Sequence, residues 1–117
     1  GATLRLPREI GWGNAHKVLL TGERWSAEQA LAWGMVQEVV EPGEQFACAL
    51  DHARRIAACA PLGVQGVLKS TRTAEGTDRD TAVAQMFRDL VPVMRSEDAA
   101  EGVQSFLERR QAVFKGR

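Results

Sequence analysis

SEDAAEGVQSFLERRQAVFKGR, residues 96–117, opens on a helix-start signal. Ser96 is a good N-cap, and Glu97, Asp98 and Glu101 place negative charge where the helix dipole is positive. Val103, Phe106 and Leu107 follow as one apolar stripe. Glu108 and then Arg109 and Arg110 give the charge order that the dipole favours. Val113 and Phe114 come next, among Lys115 and Arg117. An apolar stripe followed by cations and a terminal aromatic can close a pocket, bind an anion or simply end a domain. The rest of the chain must decide.

Working back from Ser96, the helical pattern continues. Thr77, Asp78 and Asp80 suit a helix start, and Val83, Met86, Phe87, Leu90 and Met94 repeat at helical spacing, with Pro92 near the end. Ala74 to Thr77 reads as a loop. Before it, Pro61 fits the first position of a helix whose apolar side is Val64, Val67, Leu68 and Thr71. Gly63 and Gly66 weaken that helix by roughly 1 kcal/mol each relative to Ala, unless close packing needs them. Glu44 to Ala60 carries the strongest periodicity, with Phe46, Leu50, Ala53, Ala57 and Ala60 on one face.

The first third differs. Its elements are short and all three tryptophans, Trp12, Trp25 and Trp33, lie there. Gly1 and Thr3 can start a helix, in which Pro7 must occupy the first turn or a kink. Asn14 is a plausible N-cap for Ala15 to Thr21, stopped by Gly22. SAEQ, Ser26 to Gln29, has a capping-box form, and Gly34 fits the residue after that short helix. Val36, Val39 and Val40 suit a short extended segment before the Pro42–Gly43 turn. The expectation is a succession of helical segments and at most one short strand. The composition shifts at Pro42–Gly43, which divides 1–43 from 44–117.

Fifteen basic and fifteen acidic residues cancel. That balance argues against a nucleic-acid or membrane-surface binder, though not against one local basic site. No apolar run approaches the ~20 residues of a membrane helix. No signal peptide is visible, which excludes little in a chain that begins with Gly1. Cys48 and Cys59 are eleven residues apart. On one straight helix that is ~16 Å, too far for a disulfide, so buried thiols in a reducing, cytoplasmic setting are expected.

The chemistry-bearing residues form no complete catalytic constellation. Cys48, His52 and Cys59 share a helical face, but the two thiols are too far apart for one zinc ion. A core thiol pair with a surface histidine is preferred, and no metal site is assigned. His16 has no nucleophile or acid in triad order, which favours packing. Glu97, Asp98 and Glu101 are read as serving the helix N-terminus rather than acid–base work. GWG, Gly11 to Gly13, lacks the spacing and Lys of a phosphate loop and reads as a turn. Arg109, Arg110, Lys115 and Arg117 can grip a phosphate or simply end a solvated helix.

The order of motifs carries a resemblance. GATLRLPREIG, LLTGERWSAEQALAWGMVQEVVEPGE, IAACAPLG and SEDAAEGVQSFLERRQAVFKGR follow one another as similar segments do in the enoyl-CoA hydratase/isomerase (crotonase) family. Ala2 and Leu4 depart from the usual Gly and Gln of the first motif, and 66–95 matches poorly. The resemblance implies a mainly α chain, the C-terminal helical part of a crotonase-like α/β fold built on a ββα spiral. Residues 1–43 would end the spiral core and 44–117 would form the helical, oligomerising and CoA-covering domain. It implies an acyl-CoA thioester as substrate, hydration of a 2-enoyl-CoA in fatty-acid metabolism, and a homo-oligomer, a trimer or dimer of trimers. No cofactor is implied, because coenzyme A is part of the substrate. The family's oxyanion-hole N–H groups and catalytic glutamates would precede Gly1, so no catalytic residue is assigned and the chain alone is expected to be inactive. Phe106 matches the family's aromatic near CoA and Arg109 its basic contact to the CoA phosphate; Arg110 and Lys115 are further candidates. An isomerase, a non-catalytic oligomerisation module and a degenerate paralogue remain the alternatives. The residues before Gly1 would discriminate among them.

Overall fold

The computed structural model describes residues 1–117. It contains seven helices and no strand: α1 (Ala2–Ile10), α2 (Trp12–Thr21), α3 (Ala27–Ala32), α4 (Gln45–Ala57), α5 (Pro61–Gly76), α6 (Arg79–Met94) and α7 (Glu97–Glu108). They fall into two compact units, Gly1–Ala49 and Leu50–Arg117.

In the first unit α1 and α2 are joined by Gly11 alone, at φ 77° and ψ 156°. Essentially only glycine adopts that conformation, so the sharp change of direction depends on it. The change brings Leu6 and Ile10, four apart on α1, against Ala15 and Val18, three apart on α2. These four are buried and form a small core, with Trp25 and Trp33 packed against it. The two indoles lie 6.1 Å apart between ring centroids, at 51°.

Several local expectations are corrected here. Pro7 is inside α1 and buried, beyond its first turn. Its missing N–H forgoes only the bond to the carbonyl of Thr3, an exposed residue. α2 starts at Trp12 rather than Ala15. Asn14 therefore does not cap α2; its Nδ2 donates to the Ile10 carbonyl at 3.0 Å, satisfying the end of α1. The Ser26 box forms as read. Gln29 N–H donates to Ser26 Oγ at 3.2 Å, and Ser26 N–H to Gln29 Oε1 at 2.9 Å. Residues 38–41 are neither helical nor paired as a strand.

In the second unit α5 starts with Pro61 at its first turn. It runs on through Gly76, across the stretch read as a loop from Ala74. Asp78 caps α6 by accepting from Thr81 N–H at 2.9 Å. Lys69 on α5 meets Asp89 on α6 at 2.7 Å, and Asp89 also accepts from Gln85 at 2.9 Å. Lys69 first, and Gln85 after it, hold the Asp89 carboxyl below its ordinary value. An apolar groove of about 380 Å³ runs between the two helices, lined by Gly66, Val67, Met86, Leu90 and Val93 among others. α6 also packs on α7.

Candidate functional site

Ser96 caps α7, its Oγ accepting from Ala99 N–H at 3.1 Å. The helix stops at Glu108, not further along the cationic tail. Arg109 takes the left-handed conformation, φ 53° and ψ 40°, and is the one non-glycine residue with positive φ. The chain then doubles back, and residues 110–117 form a strap along α7.

The three acidic residues of the first turns hold this strap. Glu101 accepts a two-pronged contact from Arg110, with Arg110 Nη2 at 2.9 Å from Oε2. It also accepts from Val113 N–H at 2.8 Å. Asp98 is buried and accepts from Lys115 N–H at 2.6 Å and Gly116 N–H at 2.8 Å. Its own N–H donates to the Arg117 carbonyl at 3.1 Å. Glu97 pairs with Arg117 at 3.1 Å. The Arg110 guanidinium, and after it the Val113 N–H, push the Glu101 carboxyl down to about 2. Glu101 and then Glu108 raise Arg110 in turn. An open groove of about 620 Å³ lies between helix and strap, lined by Gln104, Val113 and Lys115 among these charges.

Phe106 and Leu107 are exposed at the C-terminal end of α7, Phe106 to 82 %. Arg109 follows immediately, but it caps the helix rather than continuing its face. Its N–H reaches the Phe106 carbonyl at 3.2 Å. Lys115 is at the other end, beside Asp98, so ~16 Å of helix separates it from Arg109. The candidate residues thus form two stations on α7, Phe106 with Arg109 and Lys115 alone. Only an extended ligand spans both. Arg110 is withdrawn from the phosphate candidates by Glu101 and Glu108.

Cys59 lies beyond the end of α4, exposed, with its thiol towards the Arg55 carbonyl at 3.3 Å. The expected buried pair of thiols on one helix is therefore not formed, because α4 ends before Cys59. Cys48 is half-buried on α4. His16 stands edge-on to Trp12, ring centroids 5.4 Å apart, a packing role. No helix is long and apolar enough to cross a membrane.

A model of the family described as Enoyl-CoA hydratase/isomerase matches residues 1–117. The chain belongs to this family. It is 36 % identical to carnitinyl-CoA dehydratase of Salmonella arizonae, over 99 % of this chain and 46 % of that protein. It is 40 % identical to (E)-benzylidenesuccinyl-CoA hydratase of Thauera aromatica, over 97 % of this chain and 44 % of that protein. A crystal structure of a probable enoyl-CoA hydratase/isomerase from Mycobacterium abscessus superposes with a TM-score of 0.93 at 44 % identity, covering 100 % of this chain and 46 % of that one. The chain thus has the fold of a helical part of these enzymes and spans a little under half of their length.

Within this enoyl-CoA hydratase/isomerase chain, the strap is what sequence reasoning missed. Glu97, Asp98 and Glu101 were assigned to the helix dipole, yet their carboxylates receive donors from residues 110–117. The signal was present as charge complementarity between the two ends of the stretch.

Proposed function

We propose that this chain is the C-terminal helical part of an enzyme that adds water across the double bond of a 2-enoyl-CoA thioester. The match of the family model along the whole chain carries this reading. Two similar proteins are named a dehydratase and a hydratase, which supports addition or removal of water over double-bond isomerisation. In this reading 1–43 ends the catalytic core and 44–117 forms the helical domain of a homo-oligomer, a trimer or dimer of trimers.

Hydration of an enoyl thioester builds negative charge on the thioester oxygen. It needs preorganised N–H donors there, and carboxyl groups that deliver the elements of water. This chain contributes binding instead. Phe106 offers an exposed ring to the nucleotide end of coenzyme A, and Arg109 and Lys115 offer cations to its phosphates. The reaction takes no separate cofactor, since coenzyme A belongs to the substrate.

The test is turnover of crotonyl-CoA. The longer protein containing this chain hydrates it, and the chain of 117 residues does not. Hydration by the 117 residues alone would place the chemistry inside them and refute this division of labour.

A further inference from the structure

The strap is attached more specifically than a chain end requires. Asp98 is 2 % exposed. A buried carboxylate is costly unless donors meet its charge. Here the donors are two consecutive backbone N–H groups, those of Lys115 and Gly116. Those groups belong to the two peptide planes that flank the Lys115 Cα, so one carboxylate fixes both. Gly116 supports the turn with φ 76°, and a Cβ on it would lie 3.7 Å from Pro61.

The cations of the strap are used unevenly. Arg110 is held by Glu101 and Glu108, and Arg117 by Glu97. The Lys115 side chain is exposed and has none of these ion pairs. The backbone at Lys115 is thus held at both of its peptide groups, while its ammonium forms no close ion pair and lines the groove that Glu97 and Glu101 also line.

We propose that Asp98 is a positioning residue for phosphate recognition: by gripping both peptide groups around Lys115, it sets where that ammonium meets a phosphate of acyl-CoA. The proposal rests on the reading of Lys115 given above. It has a diagnostic sign. Asp98 carries negative charge near an anion site, so on electrostatics alone Asp98→Asn strengthens phosphate binding. Positioning demands the reverse, because the amide turns an NH₂ towards backbone N–H donors and the strap loses its anchor.

Coenzyme A is titrated calorimetrically into the unaltered chain, Asp98→Asn, Lys115→Ala and the double variant, each at several salt concentrations. Lys115→Ala weakens binding by about three- to tenfold and flattens its salt dependence. Asp98→Asn weakens it by a similar factor and flattens the same slope, which loss of stability alone does not do. The double variant binds no more weakly than Lys115→Ala, because both changes remove one interaction. Normal binding by Lys115→Ala, or no binding by the unaltered chain, overturns both the contact and the proposal. Weakened binding by Lys115→Ala beside unchanged or tighter binding by Asp98→Asn overturns the role of Asp98 and leaves the contact standing. Should Asp98→Asn not fold, Asp98→Glu keeps the charge but displaces it from the two N–H groups, and weakened binding with a flattened slope is read in the same way.

Discussion

Glu101 shows how much one half-buried side chain can organise. Its carboxylate takes the Arg110 guanidinium and the Val113 N–H together, and these contacts bring its pKa from 4.5 to about 2. The folded value is below the ordinary one, so ionised Glu101 stabilises the fold. That contribution is complete above pH 4.5 and is lost as the pH falls from there through about 2. Glu101→Gln removes the charge at every pH. Thermal melts of the two proteins should therefore differ most near neutrality and converge as the pH approaches 2. A gap of constant width across that range would show that the carboxylate charge contributes nothing and that Arg110 is held by shape alone. The sequence shows the complementary charges but not which groups meet, because both partners come from beyond a reversal of the chain. That reversal depends on Arg109 adopting a left-handed conformation, which residue type does not announce.

At the scale of elements, signals carried by neighbouring residues were legible and those set by tertiary partners were not. The Ser26–Gln29 box, Ser96 as a cap, Pro61 as a helix start and a helix start within 77–80 all stand as read. Each is an interaction within four residues. The start of α2 was misplaced because Asn14 serves the helix before it, a choice fixed by the backbone at Gly11. The end of α5 was misplaced because nothing in Ala74–Gly76 forces a helix to stop. α5 also settles the question of its glycines. A Cβ on Gly66 would lie 3.9 Å from Val93 Cγ2, and one on Gly63 3.9 Å from Ala60 Cβ, both ordinary contacts. Close packing within the unit therefore does not require either glycine. Gly66→Ala should stabilise the chain by ~0.5–1 kcal/mol through helix propensity and a less disordered unfolded state. Urea denaturation measures it. A lowered midpoint would mean that the added methyl is not accommodated against Val93 on α6.

Across the whole molecule, sequence periodicity identified apolar faces but not which of them the chain itself covers. Leu6 and Val18 are covered, buried between α1 and α2. Leu4, Trp12 and Leu20 do remain exposed, as do Phe46, Phe87, Met94, Val103, Phe106 and Leu107. The accessible surface is 9328 Å². A folded monomer of 12.8 kDa exposes about 6,300 Å². The chain thus leaves more surface in water than a compact monomer of its mass. Surface of this kind is covered by the rest of a longer protein or by further copies. In isolation only further copies are available, so the mass measured by light scattering should rise with concentration. Phe106→Ser with Leu107→Ser removes the exposed end of the α7 stripe and should shift that rise to higher concentration; Leu4→Ser with Leu20→Ser makes the same comparison for the first unit. If the unaltered chain stays monomeric at every concentration, these faces are stable in water and need no partner. If only the α7 pair alters association, the seam is on the helix that carries the coenzyme A candidates, and adding coenzyme A should compete with assembly.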